Sequence, residues 1–241
     1  MIKKVVIIPD VHINQKVPRE YEVVKRFIKQ FKPDESIILG DFIDVASLSH
    51  WDLNKKKTME GKRYKKETDL VNQELDYLQR HSKKVTYLFG NHELFCDRYI
   101  ESSPELDGII NLQNMLRLKE RGIKWYKFNT IYTLGKCNFT HGLFTNQNHA
   151  KKTLEAIDDN IVYGHVHQAQ SYFRTAKNKH PIMSYSIGCL CNKAPEYMEG
   201  KWSNWITGFA VMYYDDKTGF FNLYPVNIIK NKFMFEGKMY K

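Results

Sequence analysis

Three short runs of apolar, largely β-branched residues, each closed by a polar turn, constrain this chain more than any other feature. Val5-Val6-Ile7-Ile8 runs into Pro9-Asp10, Ser36-Ile37-Ile38-Leu39 into Gly40-Asp41, and Lys84-Val85-Thr86-Tyr87-Leu88-Phe89 into Gly90-Asn91. Short uninterrupted apolar runs read as strands buried on both faces, as in a parallel sheet. Val23, Val24, Phe27 and Phe31 recur at helical spacing between the first two runs, and Pro33-Asp34 stops that helix. Strand, helix, strand is a βαβ unit. Its crossover keeps the strands parallel and carries their C-terminal ends to one edge, where ligands bind. Asp10, Asp41 and Asn91 are therefore expected to converge.

The second and third runs are separated by residues 45–83, which read as a helical insertion. Leu70, Val71, Leu75 and Leu78 form its apolar stripe, and the stretch Lys55–Lys66 before it carries seven positive charges and one negative. Further helices are predicted over residues 104–120 and 148–157. Strands are predicted over 123–128, 130–134, 136–141, 160–164, 170–175, 182–187, 207–214 and 219–226. No repeat and no Pro/Gly/Ser-rich linker divides the chain, so a single domain is expected over residues 1–241. A composition 42% hydrophobic excludes a disordered or collagen-like chain. No apolar run reaches the roughly 20 residues of a membrane span, and the apolar run at the start is too short for a signal-peptide core. Cys96, Cys137, Cys189 and Cys191 lack CxxC spacing. Free thiols, a cytoplasmic location and no membrane partner are the expectations.

The polar turns carry the chemistry. They read Asp10-Val11-His12, then Gly40-Asp41-Phe42-Ile43-Asp44, then Gly90-Asn91-His92-Glu93. Thr140-His141-Gly142 and Gly164-His165-Val166-His167 follow, each after a predicted strand. Five of the nine histidines fall in these five motifs. Each motif alone is ordinary turn chemistry; their order and spacing together are not. The arrangement resembles the calcineurin-like metallophosphoesterase superfamily, whose pattern is Asp-x-His, Gly-Asp-x-x-Asp, Gly-Asn-His-Asp/Glu, a single His and Gly-His-x-His. The resemblance covers residues 10–167. It implies an α/β fold, a four-layer α/β/β/α sandwich of two mixed sheets flanked by helices, with the strand-rich last third completing the second sheet.

Residue by residue, the resemblance implies two metal sites. Asp10, His12 and His167 would bind one ion, Asn91, His141 and His165 the other, and Asp41 would bridge them. Carboxylate, amide and imidazole donors suit first-row ions, Mn²⁺ first, with Fe²⁺, Zn²⁺ or Ni²⁺ as alternatives. The implied chemistry is phosphoester hydrolysis by a metal-bridging hydroxide. His92 would stabilise the transferring phosphoryl group or protonate the leaving oxygen. Asp44 would hold the His92 imidazole, or else cap a helix. Glu93 is read as a supporting or helix-start carboxylate. His149 and His180 belong to no motif and are expected at the surface.

Departures from subfamilies narrow the substrate. Protein serine/threonine phosphatases have Arg-Gly after the second Asp of Gly-Asp-x-x-Asp, whereas Val45-Ala46 stands here. Nucleases of the superfamily share both metal motifs but have His where Asp44 stands. What remains is similar to phosphoesterases of phage or bacterial type. The charge balance, 37 Lys and Arg against 27 Asp and Glu, favours a polyanion. A phosphodiester of nucleic acid or a nucleotide is the expected substrate. The alternatives are a phosphomonoester of a nucleotide or nucleic-acid end, and a nucleic-acid-binding module with structural metals. Lys55, Lys56, Lys57 and Arg63 are candidate phosphate contacts. Trp51 and Tyr64 would stack on bases or pack the insertion onto the body. Tyr197, Trp202, Trp205 and Phe209 form a lid over the site or core at a strand entry.

Overall fold

A computed structural model describes residues 1–14, 16–49, 54–175, 180–192 and 202–241. The three constraining runs are β1 (Ile2–Ile8), β2 (Glu35–Leu39) and β3 (Lys84–Leu88). They lie side by side and parallel, and β4 (Lys124–Tyr126) extends them. β10 (Gly208–Asp215) pairs antiparallel with β1, and β11 (Phe221–Asn227) pairs with β10, giving the order β11-β10-β1-β2-β3-β4. The second sheet runs β5-β6-β7-β9-β8, from β5 (Tyr132–Leu134), β6 (Cys137–Thr140), β7 (Ile161–Tyr163), β8 (Ala169–Arg174) and β9 (Ile182–Ile187). Both sheets are mixed.

Strand alternation explains the layering. Val6 and Ile8 join α1 (Arg19–Phe31) and α3 (Tyr64–His81) in one core, through Phe27, Ile28, Leu75 and Leu78. Val5 and Ile7 point the other way and meet Phe139, Val162 and Ile187 of the second sheet. α6 (His149–Ile157) packs on β8 and β9, where Ser184 Oγ donates to the Ala150 carbonyl at 2.6 Å. The result is the α/β/β/α sandwich. Between β2 and β3 lie a 3₁₀ turn (Ala46–Leu48), α2 (Lys56–Met59) and α3, and α4 (Phe95–Glu101) follows β3.

Two expectations need correction, and one element was unforeseen. Residues 104–120 are not one helix. They form a 3₁₀ turn (Pro104–Leu106), a short α5 (Leu112–Met115) capped by Asn111, and turns. Pro104, Gly108 and the Asn111 cap break the backbone, while Leu112, Leu116 and Leu118 are still buried. Residues 233–240 hold an unforeseen hairpin, β12 (Phe233–Phe235) and β13 (Lys238–Tyr240), turned by Glu236 and Gly237, both at positive φ. His149 is fully buried, its Nδ1 2.6 Å from the Tyr163 hydroxyl, while His180 is exposed. The amphipathic face of α6 carries His149 inward, which no motif announced. The four cysteines are buried free thiols, and among the described residues no helix is long and apolar enough to cross a membrane.

The hairpin closes an aromatic cluster. The Phe27 ring lies 4.8–5.5 Å, centroid to centroid, from Phe31, Phe209, Phe233, Phe235 and Tyr240. Phe27→Ala should therefore lower unfolding stability by about 3–5 kcal/mol, read from the urea midpoint at constant slope. A loss below about 1 kcal/mol would mean the hairpin and helix can close the void.

Candidate metal centre

Parallel strands end at one edge, and the motif residues sit just past those ends. Asp10 follows β1, Asp41 follows β2 and Asn91 follows β3. His141 follows β6 and His165 follows β7 of the second sheet. Backbone bonds lace the loops together. His12 N donates to Asp41 O at 2.9 Å, Asp44 N to Ile13 O at 2.8 Å, and Gly164 N to His141 O at 2.8 Å.

The side chains converge into two adjoining clusters. Asp10, His12 and His167 form one, and Asp41, His141 and His165 the other. Within each, the candidate donor atoms lie within 4.8 Å of one another. Asp41 Oδ2 stands 3.6 Å from His12 Nε2 and 3.3 Å from His141 Nε2, so it borders both clusters. Asn91 Oδ1 lies 3.1 Å from His141 Nε2. His141 Nδ1 donates to the Leu39 carbonyl at 2.8 Å, which leaves Nε2 as the free donor atom facing the cluster.

The backbone is bent to make this arrangement. Asp10, His12, Asp41, His165 and His167 all have positive φ, from 39° to 69°. Asp and His tolerate this region better than most residues, but each such conformation still costs about 1–3 kcal/mol. Two glycines allow the close approaches. A Cβ at Gly90 would strike the Asp41 carboxylate, and one at Gly164 the Asp10 carboxylate.

Electrostatics point to a cation. Asp10 and Asp41 are buried, and among the described residues their ion-pair partners are all histidines. Burial opposes ionisation of Asp41, but the charges of His141 and His92 outweigh it and hold its pKa well below the carboxylate range. Burial likewise opposes protonation of His141, and Asp41 overrides it, raising the imidazole to about 9. His165 is lowered, by burial first and then by His141. Buried carboxylates ringed by imidazoles, rather than paired with Lys or Arg, fit a pair of divalent ions.

His92 stands beside the clusters. Its Nδ1 lies 2.8 Å from Asp44 Oδ1 and 3.0 Å from the Asp44 carbonyl, and its Nε2 is 3.9 Å from Asp41 Oδ2. Asp44 also meets His12 Nδ1 at 3.1 Å, so it orients two imidazoles rather than capping a helix. Burial lowers the His92 pKa, but Asp41 and Asp44 more than reverse this and raise it to about 10.

Glu93 does more than its sequence position announced. Its buried carboxylate accepts from Asp41 N at 3.0 Å, Phe42 N at 2.9 Å, Gly90 N at 2.7 Å and the Tyr87 hydroxyl at 2.6 Å. Burial and the Asp41 charge push its pKa up, against the pull of those donors. It ties the second metal-motif loop to the third. The available signal was a carboxylate directly after Asn91-His92, with Tyr87 on the strand that leads into the same turn.

The candidate substrate contacts divide. Lys55, Lys56, Lys57 and Arg63 lie on α2 and its flanks, and all four are exposed. Tyr64 is half-buried against the first core, with Cys96 Sγ 3.2 Å from its hydroxyl, so the packing reading holds and the stacking reading is dropped. Trp51 and Tyr197 lie outside the described residues. Phe209 is core, Trp202 is 99% exposed, and Trp205 is half-buried with its ring 4.3 Å from that of His167.

A family model described as calcineurin-like phosphoesterase matches residues 3–179. The chain is 23% identical to the Gene 54 protein of Mycobacterium phage L5, with both chains covered in full. Among solved structures it is similar to Vps29 of Chaetomium thermophilum, at 12% identity and a TM-score of 0.48, covering 95% of this chain and 92% of that one. Vps29 of Entamoeba histolytica is similar at 12% identity and a TM-score of 0.47, covering 98% and 95%.

If Asp41 is shared by two ions, Asp41→Asn should fail to hold the pair. Elemental analysis after manganese loading and desalting should give two ions per chain for the parent and fewer for the variant. Two ions in Asp41→Asn, with undiminished activity, would refute the shared role.

Proposed function

This chain belongs to the calcineurin-like phosphoesterase family, and we propose that it hydrolyses phosphodiester bonds in nucleic acid. Family membership and the clustered donors support a metal-dependent phosphoesterase. The observation that carries the finer reading is a basic segment that leads straight into a helix fastened to the loops of the centre. Ser47 Oγ, three residues past Asp44, donates to Glu67 of α3 at 3.0 Å. Tyr64, at the start of α3, meets Cys96, four residues past His92. The start of α3, which directly follows the stretch carrying Lys55, Lys56, Lys57 and Arg63, is thus joined to both the Asp44 and the His92 loops.

Asp10, His12 and His167 would hold one ion and Asn91, His141 and His165 the other, with Asp41 common to both. Two divalent cations there, Mn²⁺ by our assignment, would polarise the phosphoryl oxygens and lower the pKa of water. The chain's own part falls to His92. Asp44 accepts a hydrogen bond from Nδ1, which fixes the tautomer and leaves Nε2 toward the site. As an imidazolium, His92 offsets charge on the phosphoryl group and gives a proton to the departing ester oxygen. The lysines neutralise phosphates beyond the scissile one.

Two measurements test this. His92→Ala should keep its metals while kcat falls by roughly 10²–10⁴, less with a nitrophenolate leaving group than with an alkoxide. Equal losses with both leaving groups remove the proton-donor role. Replacing Lys55, Lys56 and Lys57 with Gln should raise KM for an oligonucleotide and flatten its salt dependence, with a smaller effect on bis-p-nitrophenyl phosphate. An unchanged KM and salt slope would overturn the nucleic-acid reading in favour of a phosphomonoester of a small nucleotide.

A further inference from the structure

Two aromatic side chains near the metal centre are used by neither hydrophobic core. Trp205 and Phe128 are each half-buried and absent from both core clusters. Each instead rests on an imidazole of the site. The Trp205 ring is edge-on to His167, 4.3 Å between centroids, and the Phe128 ring lies 6.0 Å from His141 at a 59° tilt. His167 belongs to one cluster and His141 to the other, so the two rings border different halves of the centre. Phe95 makes the contrast. It touches His92 but is 5% exposed and part of the first core.

Both rings are carried on backbone that is fixed to the site. Ile206 N, one residue past Trp205, donates to His167 O at 2.9 Å, and Ile206 O accepts from Cys189 N at 2.9 Å. Phe128 follows β4, whose last residue, Tyr126, accepts from Phe89 N at 2.9 Å just before Gly90-Asn91. A large apolar ring left partly exposed beside a polar, charged site keeps unburied area that a planar ligand can cover.

We infer that Trp205 and Phe128 are stacking platforms for the two nucleosides of an unpaired phosphodiester, one on each side of the scissile phosphate. The inference rests on the nucleic-acid reading above and deepens it. A diester carries a group on each side of phosphorus and a monoester on one, so a ring at each half of the centre matches the diester. Bases in a duplex already stack on their neighbours, whereas unpaired bases offer free faces to aromatic side chains.

The test compares a dinucleotide, its two single-abasic analogues and methyl p-nitrophenyl phosphate, with manganese, in the parent, Trp205→Ala, Phe128→Ala and Trp205→Phe. One stack is worth roughly five- to a hundredfold in kcat/KM. Each alanine variant should lose that much more on the dinucleotide than on the small diester. Each should also be insensitive to removal of the base on its own side. Trp205→Phe should restore most of the loss. Independently, in the His92→Ala background the dinucleotide should quench tryptophan fluorescence, and Trp205→Phe should abolish the quench. Equal losses on dinucleotide and small diester would overturn the platforms and make both rings walls of the metal centre. A parent that cleaves the small diester but no dinucleotide would overturn the nucleic-acid reading beneath them. A parent that cleaves the dinucleotide and its abasic analogues equally well would overturn the platforms alone.

Discussion

The carboxylate of Glu93 holds the centre together. Asp41 and Asn91 come from different strands. Glu93, two residues past Asn91, links them by accepting from Asp41 N and Phe42 N on one side and from Gly90 N and Tyr87 on the other, and His92 N donates to Asp41 Oδ1 at 2.9 Å beside it. Several donors converging on one buried carboxylate form a network in low dielectric, where each bond is strong and any orphaned member is costly. The loops can then tolerate the positive φ of Asp41, because its backbone N–H is held by the same network.

The same logic of fixed geometry runs through the rest of the site. Asp10 accepts the backbone N–H of His165 on both oxygens at 3.0 Å, which binds the first sheet to the second across the centre. His141 is aimed by Leu39, and His92 by Asp44. Each of these two imidazoles thus has one nitrogen committed to the scaffold and one turned inward. Strained backbone, buried carboxylates and histidines facing one another are each unfavourable on their own. Together they mark a place prepared for positive charge.

Two sheets are needed because one cannot supply the donors. The first brings Asp10, His12, Asp41 and Asn91, and the second brings His141, His165 and His167. Val5, Ile7, Ile37 and Leu39 pack against Phe139, Val162 and Ile187 between them, so the apolar filling of the sandwich sets the register of the two halves of the site. A cavity there would shift one set of donors against the other, and core and centre are in this sense one object.

The amino-acid sequence by itself determined the strands, the edge and the donor types. Apolar runs ending in Pro-Asp, Gly-Asp and Gly-Asn have few other ways to fold, and His141, His165 and His167 follow strands that are legible in the same way. It also carried the basic insertion. It misplaced residues 104–120, because apolar residues three to four apart are satisfied equally by a helix and by successive turns packed on a core. It left Tyr64 and Trp205 undecided, gave Phe128 no part beyond a strand end, and pointed His149 to the surface. Whether an aromatic or a histidine is buried, or left partly open against a histidine of the centre, depends on which elements pack across it. Those neighbours are far away in the chain, as Trp205 is from Asp10 and Phe128 from Asp41, and only tertiary packing brings them to the same centre.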